Sequence, residues 1–136
     1  MRLFFFIIPS RDIDGVSYVS VSRNQHIPQY CGSCWAFSAA SAVSDRLRLM
    51  TKGAWPTQEL SPQVIVNCAS DAHGCHGGNM LSAYKVMKTM GVPEEGCMRY
   101  TADDNECTDF NICPTVRKPI NETIKVFAEL YSFINR

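Results

Sequence analysis

The cysteines constrain this chain more than any other feature of its sequence. There are seven of them in 136 residues, a density typical of proteins that mature in an oxidising compartment. Because seven is an odd number, one thiol is left over if the other six pair, and such a thiol is either an intermolecular linker or a reactive group. Both the fold and the chemistry depend on which cysteine is left unpaired. The candidates are Cys31, Cys34, Cys68, Cys75, Cys97, Cys107 and Cys113.

Length and composition indicate one globular domain. The chain has 136 residues, 46% of them hydrophobic, and its 13 basic and 13 acidic residues cancel to a formal net charge of zero. These values are typical of a packed core and not of disorder. No basic cluster is present, so nucleic acid is not an expected partner. No apolar run is long enough to predict a membrane span.

The first ten residues are set apart from the domain. Arg2 and the apolar run from Leu3 to Ile8 resemble the start of a signal peptide, but six apolar residues fall short of the roughly 7–15 of such signals, and no A-x-A-like cleavage site follows. We therefore treat residues 1–10 as a truncated or atypical start.

Three helices are predicted from periodicity and capping residues. The longest runs for about five turns between Ser33, a plausible N-cap, and Gly53. A short helix opens at Ser61-Pro62, and a third runs from about Asn79 to Met90. Residues 11–32 are predicted to be loop with at most one short strand, and residues 94–122 to be loop held by cysteines. The residues expected to be buried are Trp35, Phe37, Ala39, Ala42, Val43, Leu47 and Met50 in the first helix, and Leu81, Tyr84, Val86 and Met87 in the third.

A reactive cysteine is predicted at the start of the longest helix. The run Cys31-Gly32-Ser33-Cys34-Trp35 places Cys34 in its first turn, where unpaired N–H groups and the positive end of the helix dipole favour a thiolate. The N–H of Cys34 can also donate to an oxyanion, with the amide of Gln25 as a second donor. Cys31 and Cys34 form a C-x-x-C as well, so a redox role is an alternative, as is a purely structural cysteine. Two observations argue against the redox role: Gly32-Ser33 stand where redox motifs of this kind usually carry a proline, and no strand-rich βαβ pattern precedes the motif.

The C-G-S-C-W run is the signature of papain-like cysteine peptidases, and residues 23–37 resemble that family. They are most similar to its cathepsin X (cathepsin Z) group of lysosomal carboxypeptidases, which carries three extra residues between the oxyanion glutamine and the motif. His26-Ile27-Pro28 stand in that place. The resemblance implies that His26 holds the free C-terminal carboxylate of a substrate. Without it, His26 would be interpreted as an ordinary exposed loop histidine.

The resemblance extends to about residue 130. Gly74 to Asn79 match the G-C-x-G-G-N of the family, which implies that Gly77 and Gly78 receive the substrate backbone and that Trp35, beside the nucleophile, also lines the site. An ordinary glycine loop is the alternative. Cys68, His73, Cys75 and His76 could suggest a zinc site, but Cys75 and His76 are adjacent, whereas zinc ligands are usually spaced by about two to four residues. We expect no metal and no cofactor.

The resemblance also implies a disulfide pattern: Cys31 with Cys75, Cys68 with Cys107, and Cys97 with Cys113. Cys34 is then the unpaired thiol. The chain departs from the family at Pro9-Ser10, which replace an Asp-Trp, and at residues 114–117, which replace two cysteines. Asn121 begins an N-glycosylation sequon. These features suit the secretory pathway, with a lysosomal or extracellular destination.

The expected fold is the α+β papain-like fold, of which this chain resembles mainly the helical half, residues 11–122, with residues 123–136 as a possible start of the β-rich half. The family's catalytic His and Asn lie roughly 130–150 residues after the nucleophile, whereas 102 residues follow Cys34 here. We therefore expect a cysteine carboxypeptidase sequence that is incomplete and, by itself, nearly inactive. Peptide or protein substrates and cystatin-like inhibitors are the implied partners. The alternative is a non-catalytic product that binds peptides, propeptides or inhibitors.

Overall fold

Three helices form the framework of the protein. The computed structural model describes residues 11–53 and 59–108. Helix α1 spans Cys34–Met50, α2 spans Pro62–Cys68, and α3 spans Met80–Thr89, with a single 3₁₀ turn at Gly74–His76 before α3. Each helix packs against the other two. All three helices predicted from the sequence are therefore present, consistent with the helical half of the expected fold.

The helix ends follow local side-chain chemistry. The hydroxyl of Ser61 caps α2 by accepting from the N–H of Val64, and Pro62 occupies the first helical position. The Asn79 Oδ1 atom caps α3 by accepting from the Ser82 N–H at 3.0 Å. Ser33 occupies the N-cap position of α1, but its side chain makes no capping bond. Its hydroxyl is used elsewhere, at the candidate site.

The core lies where the three helices meet. Small residues dominate the buried face of α1, which lets the other two helices approach closely, while α2 is buried almost completely. Burial of these apolar side chains is the main stabilising contribution. The fully or nearly buried apolar residues of the helices are Trp35, Ala36, Ala39, Ala40, Val43, Leu47, Pro62, Val64, Ile65, Val66, Ala83, Val86 and Met87.

Two details of the predicted helix faces are wrong. Met50, expected in the core, is 53% exposed, and Leu81, expected to be buried in α3, is 59% exposed. Ala36, Ala40 and Ser44 are buried instead on α1. Periodicity gives most weight to large apolar residues, whereas closely packed helices select small ones at the contact.

Within residues 11–53 and 59–108 no strand is formed. The short strand allowed for in residues 11–32 is reduced to one isolated antiparallel bridge between Ile13 and Val16, and a second bridge joins Leu60 to Glu94. No helix in the described part of the chain is long and apolar enough to cross a membrane. The segments 1–10 and 123–136, which the sequence sets apart, lie outside the described residues.

Candidate active site

Cys34 is an exposed, free thiol at the first residue of α1. The N–H groups of Ala36 and Phe37 both donate to the Ser33 carbonyl. The N–H of Cys34, by contrast, has no acceptor within residues 11–53 and 59–108. A nucleophilic side chain and an unsatisfied backbone donor thus belong to the same exposed residue, where the helix dipole favours negative charge.

Ser33, the residue before Cys34, is linked to Gln25 by two hydrogen bonds to the Tyr100 hydroxyl. The Tyr100 hydroxyl oxygen lies 2.7 Å from the Gln25 carbonyl oxygen and 2.5 Å from Ser33 Oγ. A carbonyl can only accept, so Tyr100 donates its single proton to Gln25 and accepts one from Ser33. Because both bonds share one oxygen, the Gln25 carbonyl and the Ser33 hydroxyl lie within about 5 Å of each other.

Tyr100 stays a hydrogen-bond donor over a wide pH range. Burial of its ring raises the pKa of Tyr100 above the ordinary value for a tyrosine. The Ser33 hydrogen bond opposes this increase in pKa, while the carboxylates of Asp104 and Glu95 add to it. The phenol is therefore protonated at neutral pH, which its bond to the Gln25 carbonyl requires.

His26 lies in the exposed loop between Asn24 and Tyr30. Its Nδ1 atom accepts from the Cys31 N–H at 3.3 Å, so the neutral ring carries its proton on Nε2. That nitrogen lies 3.3 Å from the Gln25 Nε2 atom. Because two N–H groups cannot hydrogen-bond to each other, a proton on His26 Nε2 requires the Gln25 amide to be turned end for end, so that its oxygen faces the ring. Tyr30 stacks on the imidazole with ring centroids 4.6 Å apart. The loop therefore holds His26 and Gln25 as one hydrogen-bonded unit.

The two glycines differ in what their backbone offers. Gly77 donates to the Gly74 carbonyl and accepts from the His73 N–H, so both of its groups are used inside the loop. Gly78 is exposed, and neither its N–H nor its carbonyl has a partner in the described residues. A Cβ at Gly78 would lie 2.6 Å from the Trp35 indole ring. The Trp35 indole therefore packs against one side of Gly78. The unused N–H and carbonyl of Gly78 are available to bind another chain.

Two disulfides hold the site together. Cys31 pairs with Cys75 and Cys68 with Cys107, the pairings that the resemblance implies. Beside the first bridge, the Gly32 N–H donates to the Cys75 carbonyl at 2.6 Å, and a Cβ on Gly32 would lie 2.8 Å from that oxygen. The third implied bridge, Cys97–Cys113, and the sequon at Asn121 involve residues outside the described part.

Comparison with known proteins decides the family. A family profile described as papain family cysteine protease matches residues 9–130. The chain belongs to the papain family. Cathepsin Z of Onchocerca volvulus is 50% identical over 103 residues, and cathepsin K of Mus musculus is 37% identical over 91 residues. The matches cover 76% and 66% of this chain but 33% and 26% of those relatives, so the chain spans about a third or less of their length.

Solved structures of the family have the same fold over most of the described chain. A cysteine protease from Carica candamarcensis, CMS1MS2 in complex with E-64, matches with a TM-score of 0.59 and 30% identity, covering 66% of this chain and 39% of that one. The ragweed pollen allergen Amb a 11, in its proform, matches with a TM-score of 0.61 and 28% identity, covering 70% and 28%. The papain-like fold is therefore shown for the helical part alone.

Sequence reasoning about the papain-family site missed the segment that braces it. Asp104 accepts from the Cys75 N–H at 2.7 Å, beside the 3₁₀ turn. The fully buried Gln63 of α2 accepts from the Thr101 N–H and donates to the Asp103 carbonyl. Gln63 is a single polar residue in the apolar helix α2, while its partners and Asp104 lie in a segment without periodicity, and no local pattern marked any of them.

No imidazole is hydrogen-bonded to the Cys34 sulfur in the part of the protein described. The His26 ring nitrogens face Cys31 and Gln25, and no hydrogen bond joins any described side chain to the Cys34 sulfur. His73 and His76 are exposed. Cys68 and Cys75 are in disulfides, so their sulfurs are not available as thiolate ligands for a metal.

Proposed function

We propose that this protein acts as a cysteine peptidase with Cys34 as its nucleophile. The observation that carries the proposal is the exposed free thiol of Cys34 beside its own unpartnered N–H, at the start of a helix in a papain-family chain. The thiolate attacks the carbonyl carbon of a peptide bond, and the carbonyl oxygen becomes an oxyanion. The Cys34 N–H and the Gln25 amide donate to that oxyanion, a contribution of roughly 10²–10³ in rate for each donor.

Gly78 binds the substrate backbone in this proposal. Its free N–H and carbonyl can pair with an extended peptide as a neighbouring strand does, and the missing side chain allows close approach. Gly77 supports the same loop through its internal bonds. Peptides and proteins are accordingly the substrates, and inhibitors that imitate an extended peptide, including cystatin-like proteins, are partners of the same surface.

His26 gives the site a carboxypeptidase preference. Its ring lies on an exposed loop next to Gln25, and its Nε2–H can be donated to the free C-terminal carboxylate of a substrate in place of the Gln25 amide. Peptides with a free C-terminus should bind better than amidated ones, and His26→Ala should remove most of that difference. Equal loss for both kinds of peptide would exclude carboxylate binding.

Turnover needs an imidazole as well, to take the thiol proton and to protonate the leaving amine. In the papain family that group lies roughly 130–150 residues after the nucleophile, whereas 102 residues follow Cys34 here. We propose thiol chemistry without turnover for the 136 residues by themselves, and hydrolysis for a chain that also carries the imidazole. The disulfides and the cathepsin relatives support a secretory-pathway location, lysosomal or extracellular.

The test is covalent labelling of the oxidised 136-residue chain. Iodoacetamide and the epoxide E-64, present in the CMS1MS2 complex, should each label Cys34, as located by peptide mapping. Cys34→Ser should abolish both reactions. Labelling by iodoacetamide without any labelling by E-64 would favour a free thiol that has no peptide-binding site. Reversible peptide binding that persists in Cys34→Ser, with no covalent E-64 adduct in the unaltered chain, would favour the non-catalytic binding product instead.

A further inference from the structure

We propose that Tyr100 is a positioning residue of the oxyanion-binding site. Its hydroxyl fixes the main chain at Gln25 relative to the start of α1, and so sets the distance between the two oxyanion donors. The inference rests on the proposed function, because it concerns the donors assigned there to Cys34 and Gln25.

The first argument is where the Tyr100 hydroxyl lies. It contacts the carbonyl of the residue that supplies one donor and the side chain of the residue directly before the other, at 2.7 and 2.5 Å. Gln25 and Ser33 lie in separate loop and helix segments, and the described hydrogen bonds include no direct bond between them. Tyr100, 67 positions after Ser33, provides the link.

The second argument is that Tyr100 is itself held rigidly. Its N–H donates to Glu95 Oε1 at 2.9 Å, and its ring meets Phe37 of α1 edge-on with centroids 4.7 Å apart. Glu95 forms an ion pair with Arg23 at 2.9 Å. The Arg23 guanidinium in turn lies over the Phe37 ring at 5.1 Å. Because these contacts hold the Tyr100 side chain in place, its hydroxyl can fix the positions of the two groups to which it is hydrogen-bonded, whereas the hydroxyl of a mobile side chain could not.

Loss of the hydroxyl should therefore disturb the oxyanion site and leave the nucleophile unchanged. In Tyr100→Phe the Gln25 carbonyl and the Ser33 hydroxyl both lose their partner, and the Gln25 loop can shift relative to α1. A shift of about 1 Å in a catalytic group can cost on the order of 100-fold. The Cys34 sulfur makes no hydrogen bond to Tyr100, so its intrinsic reactivity should not change.

Two probes separate these effects in the oxidised 136-residue chain. Alkylation by iodoacetamide forms the S–C bond as iodide leaves and creates no oxyanion. A peptide aldehyde instead adds the thiol across its C=O group, and the former carbonyl oxygen, which takes up the thiol proton, occupies the oxyanion site. We expect Tyr100→Phe to keep the alkylation rate within about twofold and to weaken aldehyde binding about tenfold or more.

Tyr84→Phe is the matched control. Tyr84 packs against the core from α3, and its hydroxyl has no hydrogen bond in the described structure, so neither probe should respond to that variant. Ser33→Ala removes the other bond of the Tyr100 hydroxyl. It should also weaken aldehyde binding more than alkylation, and it tests the inference even if Tyr100→Phe folds poorly.

The outcomes distinguish this inference from the function on which it rests. If the unaltered chain forms no hemithioacetal, or if Gln25→Ala binds the aldehyde as well as the unaltered chain, the oxyanion assignment itself is overturned. If Gln25→Ala weakens the aldehyde and Tyr100→Phe does not, only the positioning role of Tyr100 is wrong. Equal loss on both probes in Tyr100→Phe would indicate general loosening and would also overturn it.

Discussion

The helical core and the segment from Glu94 to Thr108 are held in place by opposite means. The core consists of α1, α2 and α3, whose buried faces are mostly apolar, with one buried polar side chain on each helix, Ser44, Gln63 and Ser82. The segment at 94–108 contains no helix or strand, and hydrogen bonds from single polar atoms attach it to that core, together with the Cys68–Cys107 bridge and the Met98 side chain. Ser61 donates to the Met98 carbonyl at 2.6 Å, and Asn67 accepts from the Asn105 N–H at 3.3 Å.

The difference explains how the candidate site is assembled. Apolar packing positions α1, and with it the exposed Cys34. The polar segment then reaches three parts of the site: Tyr100 contacts Gln25, Asp104 contacts the 3₁₀ turn, and the Ala102 carbonyl accepts from Gln29 at 3.1 Å. Apolar contacts are tolerant of small shifts, whereas hydrogen bonds fix distance and direction. The irregular segment thus supplies the geometry that the helices alone do not.

The largest effect should come from cutting the covalent tie between the two regions. The Cys68–Cys107 bridge joins the end of α2 to this segment, 39 positions apart. Replacing both residues by alanine should lower the free energy of unfolding by about 4 kcal/mol, because the unfolded chain regains loop entropy. Urea unfolding without reductant measures this loss.

The Cys31–Cys75 bridge provides the matched comparison. It closes a loop of similar size, 44 positions, so chain entropy alone predicts a nearly equal loss in Cys31→Ala/Cys75→Ala. A loss below about 1 kcal/mol in the Cys68–Cys107 variant would show that the polar bonds hold segment 94–108 without its tether.

A smaller effect, of about 2–3 kcal/mol, is expected from Gln63→Leu. Gln63 is fully buried in α2, and its removal leaves the Thr101 N–H and the Asp103 carbonyl without partners. Hydrogen exchange should accelerate first at residues 101–105 while the helices stay protected. Ile65→Ala, two residues along, should cost about as much but expose all three helices together. Uniform loss of protection in both variants would remove the distinction between the two regions.

The same contrast decides what the sequence could predict. The three helices were predicted because apolar periodicity and end signals such as Ser61-Pro62 are local features of the sequence. The cysteine count singled out one unpaired thiol, and the family signature identified it as Cys34. The core details failed at Met50 and Leu81, which are exposed, because close packing places small residues such as Ala36 and Ala40 at the helix contacts.

The supporting geometry of the site could not be predicted in this way. Tyr100 and Asp104 act across long sequence separations through one atom each, and nothing near them in the chain marks that use. The same holds for the difference between Gly77 and Gly78: the Gly77 N–H donates to the Gly74 carbonyl in the folded loop, whereas the Gly78 N–H has no partner in the described residues. Residue types indicated the chemistry of the site, whereas its hydrogen bonds required the structure.

A third prediction compares two glycines: Gly78, which packs against Trp35 of α1, and Gly96, which lies in segment 94–108. Gly78→Ala places a Cβ against the rigid Trp35 indole at 2.6 Å, so we expect a loss of about 1–3 kcal/mol from overpacking. Gly96→Ala meets only the flexible Glu94 carboxylate at 3.2 Å, and should be neutral or slightly stabilising because it restricts the unfolded chain. Urea unfolding gives both values, and the NMR signal of the Trp35 indole N–H, bonded to the Gly74 carbonyl, should move only in Gly78→Ala. Similar stability in the two variants would contradict the close contact.

The smallest effect on stability is expected from the exposed ion pair between Lys85 and Asp71, which belongs neither to the buried helical core nor to segment 94–108. Lys85 of α3 donates to Asp71 Oδ2 at 2.7 Å, and this hydrogen bond is the largest cause that lowers the pKa of Asp71 below its ordinary value. The two side chains are 61% and 44% exposed, so water and salt screen the pair. Since the folded-state pKa is lowered, any stabilisation is present above the ordinary aspartate pKa of about 4 and is lost as the pH falls through the lowered value. Lys85→Gln should raise the pKa of Asp71 in an NMR titration and leave the urea midpoint at pH 7 unchanged. A clear drop in that midpoint, comparable with the drop in Gln63→Leu, would mean that exposed polar contacts stabilise this protein as much as the buried ones in segment 94–108.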